Sequence, residues 1–223
     1  MLIASLQKNG FRCAFIDMEQ SAQMKHFEKL GVDVSKLYIS QPSSGEEAVD
    51  IIETLIKSEE IDFIFEDSVS AMIPVAELEG EIKDSQMGVQ ARLMSKACRR
   101  LTPLLNKYKV SLLWINQIRK KIGGYGNPDT TSGGEALKFA TSLRFEFLTG
   151  EKLKKGEEIV GIKMRIKNVK NKVAQPYKTA EIDLYFTEEK YYIDKTSEIL
   201  DLAVDYSLLE KGGAWYKYNG ENI

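Results

Sequence analysis

The chain is poor in the residues that build metal centres and disulfide frameworks. In 223 residues it has two cysteines, Cys13 and Cys98, and one histidine, His26. There is no C-x-x-C pair, and His26 has no second ligand beside it, so neither a zinc site nor a Ser–His–Asp triad is supported. Two thiols far apart in sequence suit a reducing compartment, which points to the cytoplasm. Long apolar runs are also lacking. The opening "MLIASLQKNG" has too short an apolar core for a signal peptide or a membrane span. Charge of one sign is not in excess: 31 Lys and Arg against 33 Asp and Glu leave a net charge of -2. That excludes a polyanion binder working by bulk charge, so any nucleic-acid site must be a local patch. Missing as well is the phosphate-binding signature G-x-x-x-x-G-K-[ST]. Gly156 and Gly161 have its glycine spacing, but Ile162 and Lys163 follow where Lys and Ser or Thr are required.

What is present reads as an ordinary globular domain, with 43% hydrophobic and 29% charged residues. The segments "FRCAFIDM" (11–18), "IDFIFEDS" (61–68) and "VSLLWINQ" (110–117) are short, nearly continuous apolar runs. Such runs are expected of parallel strands covered by helices on both faces. "MLIASLQKNG" reads as the last turns of an amphipathic helix stopped by Gly10. Between Ser44 and Ser58, Ala48, Ile51, Ile52, Leu55 and Ile56 share one helical face. Between Ser85 and Tyr108, Met87, Ala91, Met94, Cys98, Leu101 and Leu105 do the same, and Pro103 is expected to kink or shorten that helix. Strand alternating with helix predicts an α/β fold with a mostly parallel central sheet. After residue 140, "TSLRFEFL", "IVGIKMRIKNVK" and "YKTAEIDLYF" predict an antiparallel extension. A short helix, "SEILDLAVDYSLLE", and the aromatic turn "GGAWYKYNG" close the chain, and one continuous domain is the simplest reading.

Ligands of open α/β sheets bind at the carboxyl ends of the strands. Here those ends are polar: Asp17 and Glu19, then Asp67 and Ser68, then Asn116 and Gln117. Two acids, a hydroxyl and an amide on one edge suit a phosphate and Mg2+. Any one of these residues could simply end a strand, since Asp, Asn and Ser favour turns. Their convergence on one edge favours a ligand. The run "GIKMRIKNVKNKVAQPYK" carries Lys163, Arg165, Lys167, Lys170, Lys172 and Lys178 without an acid. It is either a solvated basic strand or a phosphate-binding face. Directly after Gln117 and "IRKKI" comes "GGYGNPDTTSGG", rich in glycine and hydroxyls, with Tyr125 as its single aromatic.

These strings resemble the bacterial RecA recombinases. The resemblance is carried by "CAFIDMEQ", "EDSVSAMIPVAELEGEIKDSQMG", "ARLMSKACRRL", "INQIRKKIG", "GNPDTTSGGEALKF", "VKNKVAQPYK" and "EKGGAWYKYNG", in the family's order and over nearly the whole chain. It implies a RecA-like P-loop NTPase core. The implied activity is DNA recombination and repair that uses ATP and Mg2+. The implied partners are single-stranded DNA, homologous duplex DNA and further copies of the chain in a homo-oligomeric filament, with no membrane.

Position by position, the resemblance makes Glu19 the catalytic glutamate that activates water. Asp67 and Ser68 become the Mg2+-associated strand end, with Asp67 acting through water, and Gln117 the γ-phosphate sensor. Lys170 and Lys172 become lysines that reach a neighbouring subunit's ATP, and Phe139 a subunit contact. The DNA-binding positions are Met87, Arg92, Arg99, Arg119, Ile122, Tyr125, Gly133 and Gly134.

There are departures from the family's pattern. Residues 1–223 are expected to form a single core fragment lacking the N-terminal polymerisation segment, the Walker A loop and the C-terminal domain. Glu135 puts a negative charge beside the expected DNA path. Gln23 and His26 replace residues that hold adenine in relatives. The alternative implied by these departures is an ATPase-inactive module that binds DNA or a partner.

Overall fold

The computed structural model describes residues 1–81, 88–120, 129–186, 191–213 and 215–222; of Arg119, Lys120, Asp129 and Thr130 it describes the backbone. By their own packing the described residues divide into two units, Met1–Thr141 and Ser142–Ile223. In the first unit the order is α1 (Leu2–Lys8), β1 (Cys13–Asp17), α2 (Met24–Lys29), β2 (Leu37–Ser40), α3 (Gly45–Lys57), β3 (Phe63–Asp67), α4 (Val75–Leu78), α5 (Val89–Tyr108), β4 (Ser111–Trp114), β5 (Ile118–Lys120), β6 (Asp129–Thr131) and α6 (Glu135–Ala140).

Four strands form a parallel sheet in the order β2-β1-β3-β4. Its two faces are sorted by strand alternation. Ala14, Ile16 and Ile64 point to one side and pack with Ala48, Ile52 and Ile56 of α3 and Leu93, Met94, Ala97 and Leu101 of α5. Cys13, Phe15 and Phe65 point to the other and pack with Ile3 and Ala4 of α1, Val32 and Leu37. Burial, with a smaller contribution from Asp62, pushes the Cys13 thiol up to about 11, so it is held neutral in the core.

Local signals fix the helix bounds. The Ser44 hydroxyl accepts from the Glu47 backbone N–H at 3.2 Å, and the Glu47 carboxylate accepts from the Ser43 backbone N–H at 2.7 Å, a reciprocal cap on α3. Helix α5 continues through Pro103 to Tyr108, so the proline does not shorten it. It begins at Val89, and Ser85 and Met87 lie outside the described residues. Its buried stripe is Leu93, Met94, Ala97 and Leu101; Met94 and Leu101 belong to the expected face, Cys98 and Leu105 of that face pack partly buried against the core, and Leu93 and Ala97 are added to it.

The second unit holds β7 (Leu143–Lys155), β8 (Glu158–Asn171), β9 (Thr179–Phe186), β10 (Tyr191–Ile193), α7 (Lys195–Asp205), β11 (Glu210–Gly212), β12 (Trp215–Tyr218) and β13 (Glu221–Asn222). Strands β7 to β10 form an antiparallel sheet of their own, β10-β9-β8-β7, and β11 to β13 a small meander that carries the aromatic turn. Among the described residues no helix is long and apolar enough to cross a membrane.

Candidate functional site

The carboxyl ends of β1, β3 and β4 converge. Asp17 and Asp67 are register partners at the ends of adjacent strands, and the Asp67 carbonyl accepts from the Met18 backbone N–H at 2.7 Å. Glu19 therefore emerges next to the turn after β3. There Ser68, buried to 1% exposure, donates its hydroxyl to the Glu19 carboxylate at 2.7 Å, and the Gln117 amide donates to the same oxygen at 3.3 Å. Three residues from three strand ends thus meet at one carboxylate, in an arrangement that can orient a water or a phosphate oxygen.

The other acids of the edge differ. Asp17 is committed internally: it accepts from Gln41 Nε2 at 2.9 Å and from the backbone N–H groups of Ser21 at 3.3 Å and Ala22 at 2.9 Å. The Asp67 carboxylate has no hydrogen-bond partner among the described residues. Its carboxyl is held above the usual range by burial first, then by Glu19 and Asp17. Among the described residues no three His, Cys, Asp or Glu side chains gather as a metal cage. One unsatisfied carboxylate beside a hydroxyl fits a hydrated Mg2+, which keeps several waters and needs few protein ligands. The Asp67–Ser68 peptide is cis.

Gln117 leads straight into an antiparallel hairpin in which β5 pairs with β6: Ile118 with Thr131, Arg119 with Thr130, and Lys120 with Asp129. The hairpin returns to Ser132, Gly133 and Gly134. Both glycines have positive φ, 84° and 73°. They pack on the first turns of α5, where a Cβ on Gly133 would lie 2.9 Å from Met94 Cγ and one on Gly134 would lie 2.9 Å from Ala91 Cβ. Beside this corner is a hollow of about 520 Å³, lined by Ser70, Gln90, Ala91, Ser132, Gly133 and Gly134 among others.

Of the expected DNA-binding residues, Arg92 and Arg99 are exposed on α5, and Lys96 stands between them at helical spacing. Met87, Ile122 and Tyr125 lie outside the described residues, and Arg119 is described by its backbone. Glu135 is paired with Lys138 at 2.5 Å, which offsets its charge. Phe139 is 73% exposed; Gln23, the N-cap of α2, and His26, on that helix, are also exposed.

In the second unit Lys170 lies on β8 with Arg144 of β7 as its cross-strand partner. Burial, then Lys172, then Arg144 lower the affinity of Lys170 for its proton. The basic run is not a uniform free face, because Arg165 pairs with Glu181 at 2.8 Å and Lys163 with Asp183 at 3.7 Å.

Sequence reading missed Ser70, Gln90 and Ser132. Gln90 Nε2 donates to the carbonyls of Val69 at 2.8 Å and Met72 at 3.3 Å, which fastens α5 to the turn after β3. Ser70 Oγ lies 3.3 Å from both Asn116 Oδ1 and Ser132 Oγ.

An open parallel sheet with its polar groups on the carboxyl edge, and a hairpin hung from that edge, defines an α/β protein of the kind that binds ligands at strand ends. Comparison with known proteins gives the family. The RecA N-terminal domain model matches residues 1–190, and the RecA C-terminal domain model matches residues 197–223. Protein RecA of Mycoplasma mycoides subsp. mycoides SC is 49% identical over 222 residues, covering 99% of this chain and 64% of its own length. Protein RecA of Desulforapulum autotrophicum is 47% identical and that of Halalkalibacterium halodurans 48%, each over 99% of this chain and 63% of the relative. The crystal structure of the RadB recombinase superposes with a TM-score of 0.57 at 16% identity, over 82% of this chain and 79% of that one, and shows the shared fold. The chain belongs to the RecA family. It spans less than two thirds of the length of these RecA relatives.

Proposed function

We propose that residues 1–223 form a RecA-like core that acts in DNA recombination and repair in the cytoplasm. In this reading it binds ATP with Mg2+ and holds single-stranded DNA for pairing with homologous duplex DNA, as one subunit of a filament. The observation that carries the reading is the Glu19–Ser68–Gln117 cluster, whose last member opens the β5–β6 hairpin.

Glu19 would take a proton from an attacking water, and Gln117 would report on a terminal phosphate oxygen through its amide. Asp67 would hold Mg2+ through water, with Ser68 beside it; bound there, the ion would offset phosphate charge. Lys170 and Lys172 would face the nucleotide of a neighbouring copy, and Phe139 would sit in that contact. DNA would lie along Arg92, Arg99, Arg119 and the 119–134 loop, with Met87, Ile122, Gly133 and Gly134 at backbone or base and Tyr125 stacked on a base. Such stacking contributes about 1–3 kcal/mol per base and tolerates any sequence.

The test is the binding of a labelled oligo-dT to the 223-residue chain across a salt series. Tyr125→Ala should weaken binding about tenfold, and the loss should persist at high salt, because stacking is not ionic. A steep salt slope that is identical with and without Tyr125 would contradict the loop contact.

A second reading is favoured by one fact, that these 223 residues contain no G-x-x-x-x-G-K-[ST]. Residues 1–223 taken by themselves would then lack the backbone amides and lysine that grip phosphates, and would act as an ATPase-inactive module for DNA or a partner. DNA-stimulated phosphate release by the chain is therefore expected to equal that of Glu19→Gln. Release well above that variant would refute the module.

A further inference from the structure

The β5–β6 hairpin has only three residues in each arm, and a two-stranded hairpin of that size is marginal on its own. Something at its base must fix its register. Asn116 is placed to do so. Its Nδ2 donates to the Ser132 carbonyl at 2.9 Å, across the base of the hairpin. Its Oδ1 accepts from the Gln117 backbone N–H at 2.8 Å and lies 3.3 Å from the Ser70 hydroxyl. One carboxamide thus ties together the residue that touches Glu19, the turn after β3 and the chain entering the Gly133–Gly134 corner.

The surroundings on both sides are held by hydrogen bonds and close packing. Val69 donates its backbone N–H to the Ile115 carbonyl at 2.9 Å, and Gln90 of α5 holds the Val69 carbonyl. The glycine corner is pressed against Ala91 and Met94 of the same helix. Between these anchors stand the paired arms β5 and β6, and the Asn116 side chain bridges their base.

We propose that Asn116 is a positioning residue: by stapling the hairpin base it fixes the register of the β5 and β6 arms and holds Gln117 in place relative to them. Ser70 and Ser132 supply the second, weaker half of the staple through their hydroxyls. The consequence for DNA rests on the reading given above; the staple itself does not.

Amide hydrogen exchange on the 223-residue chain tests it, comparing wild type with Asn116→Ala and Ser132→Ala. Asn116→Ala removes the bond to the Ser132 carbonyl, whereas Ser132→Ala keeps that backbone acceptor. Asn116→Ala should speed exchange in the hairpin arms by about tenfold, the effect of one or two lost hydrogen bonds, and leave β1 and β3 unchanged. Ser132→Ala should stay within about twofold of wild type. Unchanged hairpin exchange in Asn116→Ala overturns the proposal, and so does an equal rise in β1 and β3, which would mark a merely structural residue. Oligo-dT binding measured alongside should fall about tenfold in Asn116→Ala and little in Ser132→Ala. If wild type binds no oligo-dT, the DNA reading fails, and the exchange data still decide the role of Asn116.

Discussion

Replacing Glu66 by isoleucine should make the first unit markedly more resistant to urea, and the gain should grow as the pH rises. Glu66 is fully buried in β3 and has no hydrogen-bond partner for either carboxyl oxygen among the described residues. Its register partners are Ile16 on β1 and Trp114 on β4, on the face where Ile64 packs against α3 and α5. Burial first, then Asp67 and Glu19, push its carboxyl from the ordinary 4.5 to about 9. Between these values the folded chain binds one more proton than the unfolded chain, so rising pH favours unfolding by about 1.4 kcal/mol per unit. The penalty is absent below about 4.5, reaches about 3 kcal/mol near pH 7 and is complete above about 9. Glu66→Ile removes both this slope and the unpaired polar group, whereas Glu66→Gln removes the slope alone. Urea midpoints from about pH 5 to 9, read from Trp114 fluorescence in a Trp215→Phe background, separate the two variants. Near pH 7 the glutamine variant should gain about 1.5 M if m is about 2 kcal/mol/M, and the isoleucine variant more, because it also removes the unpaired polar group. A midpoint that does not move with pH in wild type would show that Glu66 is partnered or solvated.

Gly134→Ala should disrupt the corner of the site. Gly134 has φ 73° and ψ -163°, a region that residues with a Cβ scarcely enter. The added methyl would also lie 2.9 Å from Ala91 Cβ and 3.6 Å from Ala91 Cα, so neither neighbour can swing aside as a long side chain would. Strain and overpacking together should cost about 3 kcal/mol. Gly156→Ala is the control: its φ is also positive, at 65°, but nothing lies within 4 Å of its Cβ position, so its cost should be about 1 kcal/mol. If Gly134 positions the DNA-contacting loop, the variant should also lose at least about tenfold in oligo-dT affinity while Gly156→Ala does not. Equal stability losses in the two variants would mean that the corner is loosely packed.

The strands β1, β3 and β4 were legible because continuous apolar runs ending in Asp, Ser, Asn or Gln have few other uses in a soluble chain. The residues that meet at Glu19 were legible for the same reason, since strand ends mark the ligand edge. Strand β2 was not, because "LYIS" is four residues long and leaves Tyr38 57% exposed, a pattern no window separates from a loop. The inward stripe of α5 was read in part: Met94 and Leu101 are buried as periodicity implies, whereas Leu93 and Ala97, which also face the core, were left out, because the width of the buried face is set by the tertiary partner. Ser70, Gln90 and Ser132 carried no local signal, since Gln90 acquires its partners when α5 meets the turn after β3, and Ser70 and Ser132 theirs when that turn meets the chain after β4. Glu66 did leave a trace: alternation puts it on the same face as Ile64 in a strand covered on both sides, where a carboxyl is out of place.

Two surfaces compete for DNA in this account, the 119–134 loop with the exposed face of α5, and the basic strands of the second unit. A single-stranded oligonucleotide carrying 4-thiothymidine, cross-linked to the 223-residue chain and mapped by mass spectrometry, decides between them. The account predicts cross-links within residues 119–134 and near Arg92 and Arg99. Cross-links confined to Lys163, Arg165 and Lys167, with none in the loop, would contradict it.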